Sequence, residues 1–274
     1  MNHQTVLHTR DGLELHLHDW PAPQPRSRLL LVHGLGEHGG RYAALAGELN
    51  ARGVSVRSFD HRGHGRSAGK RGVVGSDPDC LSRDAADVFN AYAAEGSDLP
   101  FLLGHSMGGL VVMHAVAALG LRPRGLIASS PALASHAGAF DRLLSKLLLH
   151  VAPDLTVANG LPADRLSHAA GVERAYLDDP LNHNRISARL ARYIFAAGPQ
   201  VIGAAPGWTV PTLLQIAGSD QLVDPAGARA FAKAAPGHAV EFHDYTGLYH
   251  EIYNEAAPAR SAVVNDLMAW LACK

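Results

Sequence analysis

Cysteine is scarce in this chain, with only Cys80 and Cys273 among 274 residues. Two are too few for a disulfide scaffold, and their spacing fits no metal-binding pattern. A reduced thiol pair is the plain expectation, and no metal site is expected. Long apolar runs are also missing, since none approaches the roughly 18 residues that a membrane-spanning helix needs. Residues 1–12 are polar and lack the apolar stretch of a signal peptide, so the expected location is cytoplasmic. Neither sign of charge is in excess. With 24 Lys and Arg against 25 Asp and Glu, the electrostatics give no reason to expect nucleic acid or an anionic membrane as the main partner. Internal repeats and low-complexity segments are absent too.

What is present describes a globular chain. Apolar residues make up 47% and charged residues 18%, a balance that can bury a core, and the length suffices for one large core or two small ones. Histidine is abundant at 17 residues, enough to make the protein cationic in mild acid.

Short apolar, β-branched runs alternate with longer helical patterns, the signature of a mostly parallel sheet with crossover helices. Strands are expected over 29–33, 54–59, 101–104, 126–129, 212–217 and 240–245. Helices are expected over 42–51, 80–94, 107–119, 226–234 and 255–271. Several strand runs are continuously apolar, as when both faces of a sheet are covered. An antiparallel pair over 5–9 and 14–19 flanks the turn signal Asp11-Gly12. After Pro131 the alternation stops, and no convincing strand recurs until Thr212. The organisation expected is therefore a core of residues 1–131 and 207–274 carrying an inserted helical cap, residues 132–206. In that insertion Phe140, Leu143, Leu144, Leu147, Leu148 and Val151 recur at helical spacing. The stripe either packs on its own domain, or part of it lines an acyl-chain entrance or touches a lipid surface.

Gly104-His105-Ser106-Met107-Gly108 fits G-x-S-x-G between an expected strand and an apolar helix. A serine on so tight a turn needs flanking glycines, because side chains there would collide with strand and helix. Ser106 is thus the candidate nucleophile. A hydroxyl is weak at neutral pH and needs a base oriented by an acid; on this arrangement the order is Ser, Asp or Glu, then His, on loops after later strands. Asp220 and Asp224 compete for the acid. Asp220 directly follows the turn Gly218-Ser219, whereas Asp224 precedes Pro225 and reads as a cap on the next helix; Asp220 is the better placed. His250 follows the last strand, while His238 precedes it and His243 lies within it. Negative charge on an attacked carbonyl oxygen needs backbone donors. Met107 supplies one, and the glycine-rich loop Gly34-Leu35-Gly36 makes Leu35 the other. The segment Asp60-His61-Arg62-Gly63-His64-Gly65-Arg66-Ser67 lacks a Walker-type ending and metal spacing, and reads as a structural turn.

These pieces together resemble the monoacylglycerol lipase and lysophospholipase branch of the α/β-hydrolases. The matching segments are His33-Gly34-Leu35-Gly36-Glu37-His38 with Arg41-Tyr42, the segment from Phe59 through Ser67, and Gly104-His105-Ser106-Met107-Gly108-Gly109. Asp178-Asp179-Pro180-Leu181, Gly218-Ser219-Asp220 and Tyr249-His250-Glu251 complete the set. The resemblance implies an α/β-hydrolase fold and a cofactor-free esterase with Ser106, Asp220 and His250 as triad and Leu35 and Met107 as oxyanion donors. It further implies that Glu37, Arg41 and Tyr176 lie near the alcohol-binding end, and that the substrate is a monoacylglycerol or related single-chain lipid ester. Human-type members carry a second histidine three residues after the catalytic one, where this chain has Tyr253. Other readings are a short-chain carboxylesterase or a cofactor-free perhydrolase on the same triad, and an inactive hydrolase fold used for ligand binding.

Overall fold

The computed structural model describes residues 5–138 and 147–274. Eight strands form one sheet: β1 (Val6–His8), β2 (Glu14–Trp20), β3 (Ser27–Val32), β4 (Val54–Phe59), β5 (Phe101–His105), β6 (Leu126–Ser129), then, after the inserted segment, Thr212–Ala217 and Val240–Tyr245. The inserted segment adds two short strands, β7 (Thr156–Ala158) and β8 (Arg185–Ser187), so the last two sheet strands are β9 and β10. The order across the sheet is β1-β2-β4-β3-β5-β6-β9-β10. The β1–β2 and β2–β4 pairs are antiparallel and every other pair in this sheet is parallel. Gly12, at φ 81°, makes the β1–β2 turn.

Alternation within the central strands sorts side chains to two faces. From β3, Leu29 and Leu31 join one buried cluster, while Leu30 and Val32 join the other. The first cluster is covered by α1 (Ala43–Asn50) and the C-terminal helix Ala259–Ala272. The second is covered by α2 (Cys80–Ala94), α3 (Met107–Leu119) and two later helices, Ala188–Ala204 and Ala226–Ala234. With the inserted helix Val172–Asp178 counted as α4, these are α5 (Ala188–Ala204), α6 (Ala226–Ala234) and α7 (Ala259–Ala272). Because both faces are covered, the central strands read as unbroken apolar runs rather than alternating ones.

Two expectations are corrected. Residues 132–206 do contain strands: β7 pairs antiparallel with β8, Val157 opposite Ile186. Three residues per strand are too few to display an alternating pattern. The last helix begins at Ala259 rather than Glu255, because the residue before Pro258 is steered out of the α region and the helix starts only beyond it. Of the apolar stripe, Phe140, Leu143 and Leu144 lie outside the described residues. Leu147 and Val151 are 62% and 76% exposed, and Leu148 faces a cavity. Among the described residues no helix is long and apolar enough to cross a membrane.

Helix α5 is pinned to the chain after β6 at one glycine. A Cβ on Gly198 would stand 2.2 Å from the Leu133 carbonyl oxygen, whereas a Cβ on Gly203 would meet nothing within 4 Å. The two glycines of one helix therefore predict opposite outcomes. Gly203→Ala gains helix propensity of about 1 kcal/mol and should raise the melting temperature by roughly 2–4 °C. Gly198→Ala should lower it by several degrees, because the backbone clash, at about 1–3 kcal/mol, exceeds the propensity gain. Thermal melts of both variants check the contrast.

Candidate active site

Ser106 occupies the turn from β5 into α3 with φ 55° and ψ −120°, a region that costs a residue with a side chain on the order of 1–3 kcal/mol. The surroundings hold it there. Its N–H donates to the Ser129 carbonyl at 2.9 Å, and its carbonyl accepts from Leu110 and Ala132 at 3.1 and 3.0 Å. The flanking glycines are sterically required: a Cβ on Gly104 would stand 2.3 Å from the Gly108 carbonyl oxygen, and one on Gly108 2.1 Å from that of Val32.

The loops after β9 and β10 bring Asp220 and His250 together. His250 Nδ1 lies 2.6 Å from Asp220 Oδ2, and both residues are buried. The other carboxylate oxygen accepts from the Leu222 and Val223 N–H groups at 2.9 and 3.1 Å. Burial opposes ionisation of Asp220, but the His250 charge and hydrogen bond, with those two backbone donors, outweigh it and hold the carboxyl below its ordinary value. Burial likewise opposes protonation of His250, and Asp220 overcomes it, so the imidazole titrates above its ordinary value. An ionised Asp220 can only accept, which leaves the proton on Nδ1 and makes Nε2 the basic atom. Ser130, itself at φ 40°, donates from Oγ to the His250 carbonyl at 3.0 Å. The alternatives lie elsewhere: Asp224 Oδ1 accepts from Ala226 N at the start of α6, His238 is exposed, and His243 contacts Glu241 and Asp266.

Ser106 and His250 border one small cavity together with Glu37, Tyr176 and Glu251. On its other side Ser106 opens, with Leu35 and Met107, onto an apolar cavity of about 390 Å³. Met107 begins α3, so its N–H has no acceptor within the helix. The loop carrying Leu35 is fixed from outside. The Gly36 carbonyl accepts from the His183 N–H at 2.8 Å and from the Tyr176 hydroxyl at 3.2 Å.

Arg41 does not border either cavity. Its guanidinium stands behind the small one, bonded to Glu37 Oε2 at 2.5 Å and to both oxygens of Glu251 at 2.7 and 3.0 Å, with the Tyr176 ring 5.0 Å away. Glu37 also accepts from Gly34 N and the Tyr42 hydroxyl through Oε1. Burial raises the cost of ionising Glu251, yet Arg41 holds its carboxyl below the ordinary range. Glu251 is not among the site residues that the sequence reading names; its signal there is its place in the segment Tyr249-His250-Glu251. Tyr253 is buried away from the site, donating to Gln215 Oε1 at 2.6 Å.

The His- and Arg-rich segment after β4 is buried structure. Asp60 accepts from His18 Nε2, Gly39 N and Arg66 N, each at 2.8 Å, and Arg62 is paired with Asp84 and Asp11. His18, His38 and Asp60 place potential ligand atoms within 4.8 Å of one another. Those atoms already serve the protein, His18 on Asp60 and His38 Nε2 on Asp179 at 2.9 Å.

The model of the serine aminopeptidase S33 family matches residues 23–257. A monoacylglycerol lipase from Mycolicibacterium smegmatis is 36% identical over 92% of this chain and 90% of its own length. A monoglyceride lipase from Rattus norvegicus is 32% identical over 95% and 88%. Among solved structures, the Paleococcus ferrophilus monoacylglycerol lipase superposes with a TM-score of 0.85 at 33% identity, covering 94% of this chain and 98% of that one.

If Arg41 is the tie between two buried carboxylates, Arg41→Ala strands both. The expected cost is about 3–5 kcal/mol, a fall in melting temperature on the order of 10 °C, read by calorimetry. An unchanged melting temperature with a raised KM would make Arg41 a substrate contact instead.

Proposed function

The chain belongs to the α/β-hydrolase family, in its monoacylglycerol lipase-like branch of serine ester hydrolases, and from that premise we propose that it cleaves monoacylglycerols or related single-chain lipid esters through an acyl-enzyme on Ser106. The observation that carries the substrate class is the pair of unlike spaces that meet at Ser106. The larger is lined by Leu148, Leu155, Ile186, Ile194, Phe195 and Leu222, and suits an acyl chain. The smaller carries Glu37, Tyr176 and Glu251, groups able to hydrogen-bond the hydroxyls of a glycerol leaving group.

In this reading His250 Nε2 takes the proton of Ser106 Oγ as the oxygen attacks the ester carbonyl. The oxyanion is met by the N–H groups of Leu35 and Met107. His250 then protonates the departing alcohol, and water activated by the same nitrogen releases the fatty acid. Asp220 keeps the ring oriented and its proton on Nδ1. The machinery uses side chains and backbone alone, with no cofactor. Residues 132–206 act as a cap over the carboxyl edge of the sheet. Leu155, Val157 and Leu161 line the apolar cavity while remaining 52%, 49% and 40% exposed, and Leu147 and Val151 of the same inserted segment are also exposed. That rim suits brief contact with a lipid surface during substrate pickup.

Ser106→Ala should abolish turnover of monoacylglycerols at every chain length, while wild type peaks at a definite length; equal inertness of both proteins on all esters would remove the hydrolase reading in favour of a binding protein. The pH profile has a fixed sign. Because the base must be neutral and its imidazole titrates above its ordinary value, kcat/KM should rise with pH through a midpoint above about 6.5. Asp220→Asn should move that midpoint down and lower kcat by roughly 10³–10⁴-fold. A midpoint that stays put in Asp220→Asn would take Asp220 out of the acid role.

A further inference from the structure

The acyl cavity is not alone on helix α5. A second cavity of about 380 Å³ is lined by Leu133, Pro199, Ile202 and Gly203, and it shares Ile194 and Phe195 with the first. On α5 the residues facing these spaces run Ala188, Ala191, Ile194, Phe195, Pro199, Ile202 and Gly203, the three-and-four spacing of a single helical stripe. The two cavities therefore lie end to end along one side of the helix, with Ile194 and Phe195 at the junction. Among the described residues, Ala132, Ala134 and Ser135 also border both spaces, and their side chains are small. Among the described residues that border both spaces, Phe195 has the largest side chain. Pro199, four residues on, interrupts the hydrogen-bond ladder of α5 one turn beyond it, so the helix is locally adapted where the second space begins.

We infer that Phe195 is the floor of the acyl slot and sets its length limit, and that the space beyond it, along Pro199 to Gly203, is a latent extension able to take the distal methylenes of a longer acyl chain. The inference rests on the reading of the larger cavity as the acyl slot. From Phe195 to Gly203 the helix advances about 12 Å. An extended chain covers roughly 1.2 Å per bond, as three backbone bonds of a polypeptide span at most about 3.6 Å. The extension thus has length for several additional carbons.

The test is a chain-length profile of monoacylglycerol hydrolysis by the full chain, with fluorophosphonate labelling as the measure of an intact nucleophile. Phe195→Ala should move the preferred acyl length up by at least about four carbons, the difference a merged slot of this length allows. Gly203 has open space at its Cβ position, so Gly203→Leu in the Phe195→Ala background should refill the extension and return the optimum to the wild-type length. Gly203→Leu alone should leave the wild-type profile where it was. If Phe195→Ala fails to fold and does not label, Phe195→Trp gives the same answer in the other direction, shortening the optimum. A labelled Phe195→Ala or Phe195→Trp with the wild-type profile overturns the inference, as does a double variant that keeps the longer optimum. Failure of the underlying hydrolase reading looks different, since wild type itself would then neither label nor turn over any ester.

Discussion

One buried cation holds the candidate site together. Arg41 lies between Glu37, on the loop after β3, and Glu251, on the loop after β10. Taking three charges out of water is costly, and such a cluster is favourable only when its hydrogen-bonding groups are well matched. Here the matching is dense. Glu37 also takes Gly34 N and the Tyr42 hydroxyl, Glu251 also takes Asn254 Nδ2, and the Glu251 N–H reaches the inserted segment at the Leu166 carbonyl. The loop that carries Leu35, the loop that carries His250 and the segment that carries Leu166 thus share one electrostatic anchor. Replacing Arg41 leaves two uncompensated carboxylates beside the residues proposed for the chemistry.

The sheet sets the other constraint. Parallel strands end at a common edge, and open α/β sheets place their sites outside those carboxyl ends. The ends of β3, β5 and β10 deliver Leu35, Ser106 and His250 to one cavity, and the end of β9 delivers Asp220 to His250, although the four are far apart in sequence. Rigidity at that edge comes from close backbone approach, Gly104 against Gly108 and Gly108 against Val32. Strain at Ser106 is sustained because its N–H and C=O are both tied to neighbours. In the proposed mechanism this leaves the hydroxyl little freedom to lose when substrate arrives.

Much of this was legible in the sequence for identifiable reasons. The central strands are buried on both faces, so they stand out as apolar runs, and the limits at 54–59, 126–129 and 212–217 match the structure, as do those of the edge strand at 240–245. The serine turn announces itself because its glycines are sterically forced, and the chain order of Asp220 and His250 follows from which strands they leave. The inserted segment was less legible. β7 and β8 are too short to have a period, and their pairing joins residues nearly thirty positions apart. Glu251 matters through its paired hydrogen bonds from Arg41, and Ser130 through its bond to the His250 carbonyl; both partners are distant in sequence, and no local pattern reports them. Arg41 was legible as a site residue, but only the fold shows that it stands behind the cavity rather than in it. The junction at Phe195 depends on where two spaces meet, and no spacing on one helix encodes what faces it.

The central claim is a covalent one: the acyl group of a single-chain ester passes through Ser106 Oγ. The most direct measurement is an acid quench during turnover of a slow single-chain ester, followed by proteolysis and mass spectrometry of the peptide spanning Gly104 to Gly109. The account predicts that this peptide gains the mass of the acyl group, on Ser106. Steady turnover with no acylated peptide, or with the acyl group on another residue, would contradict it.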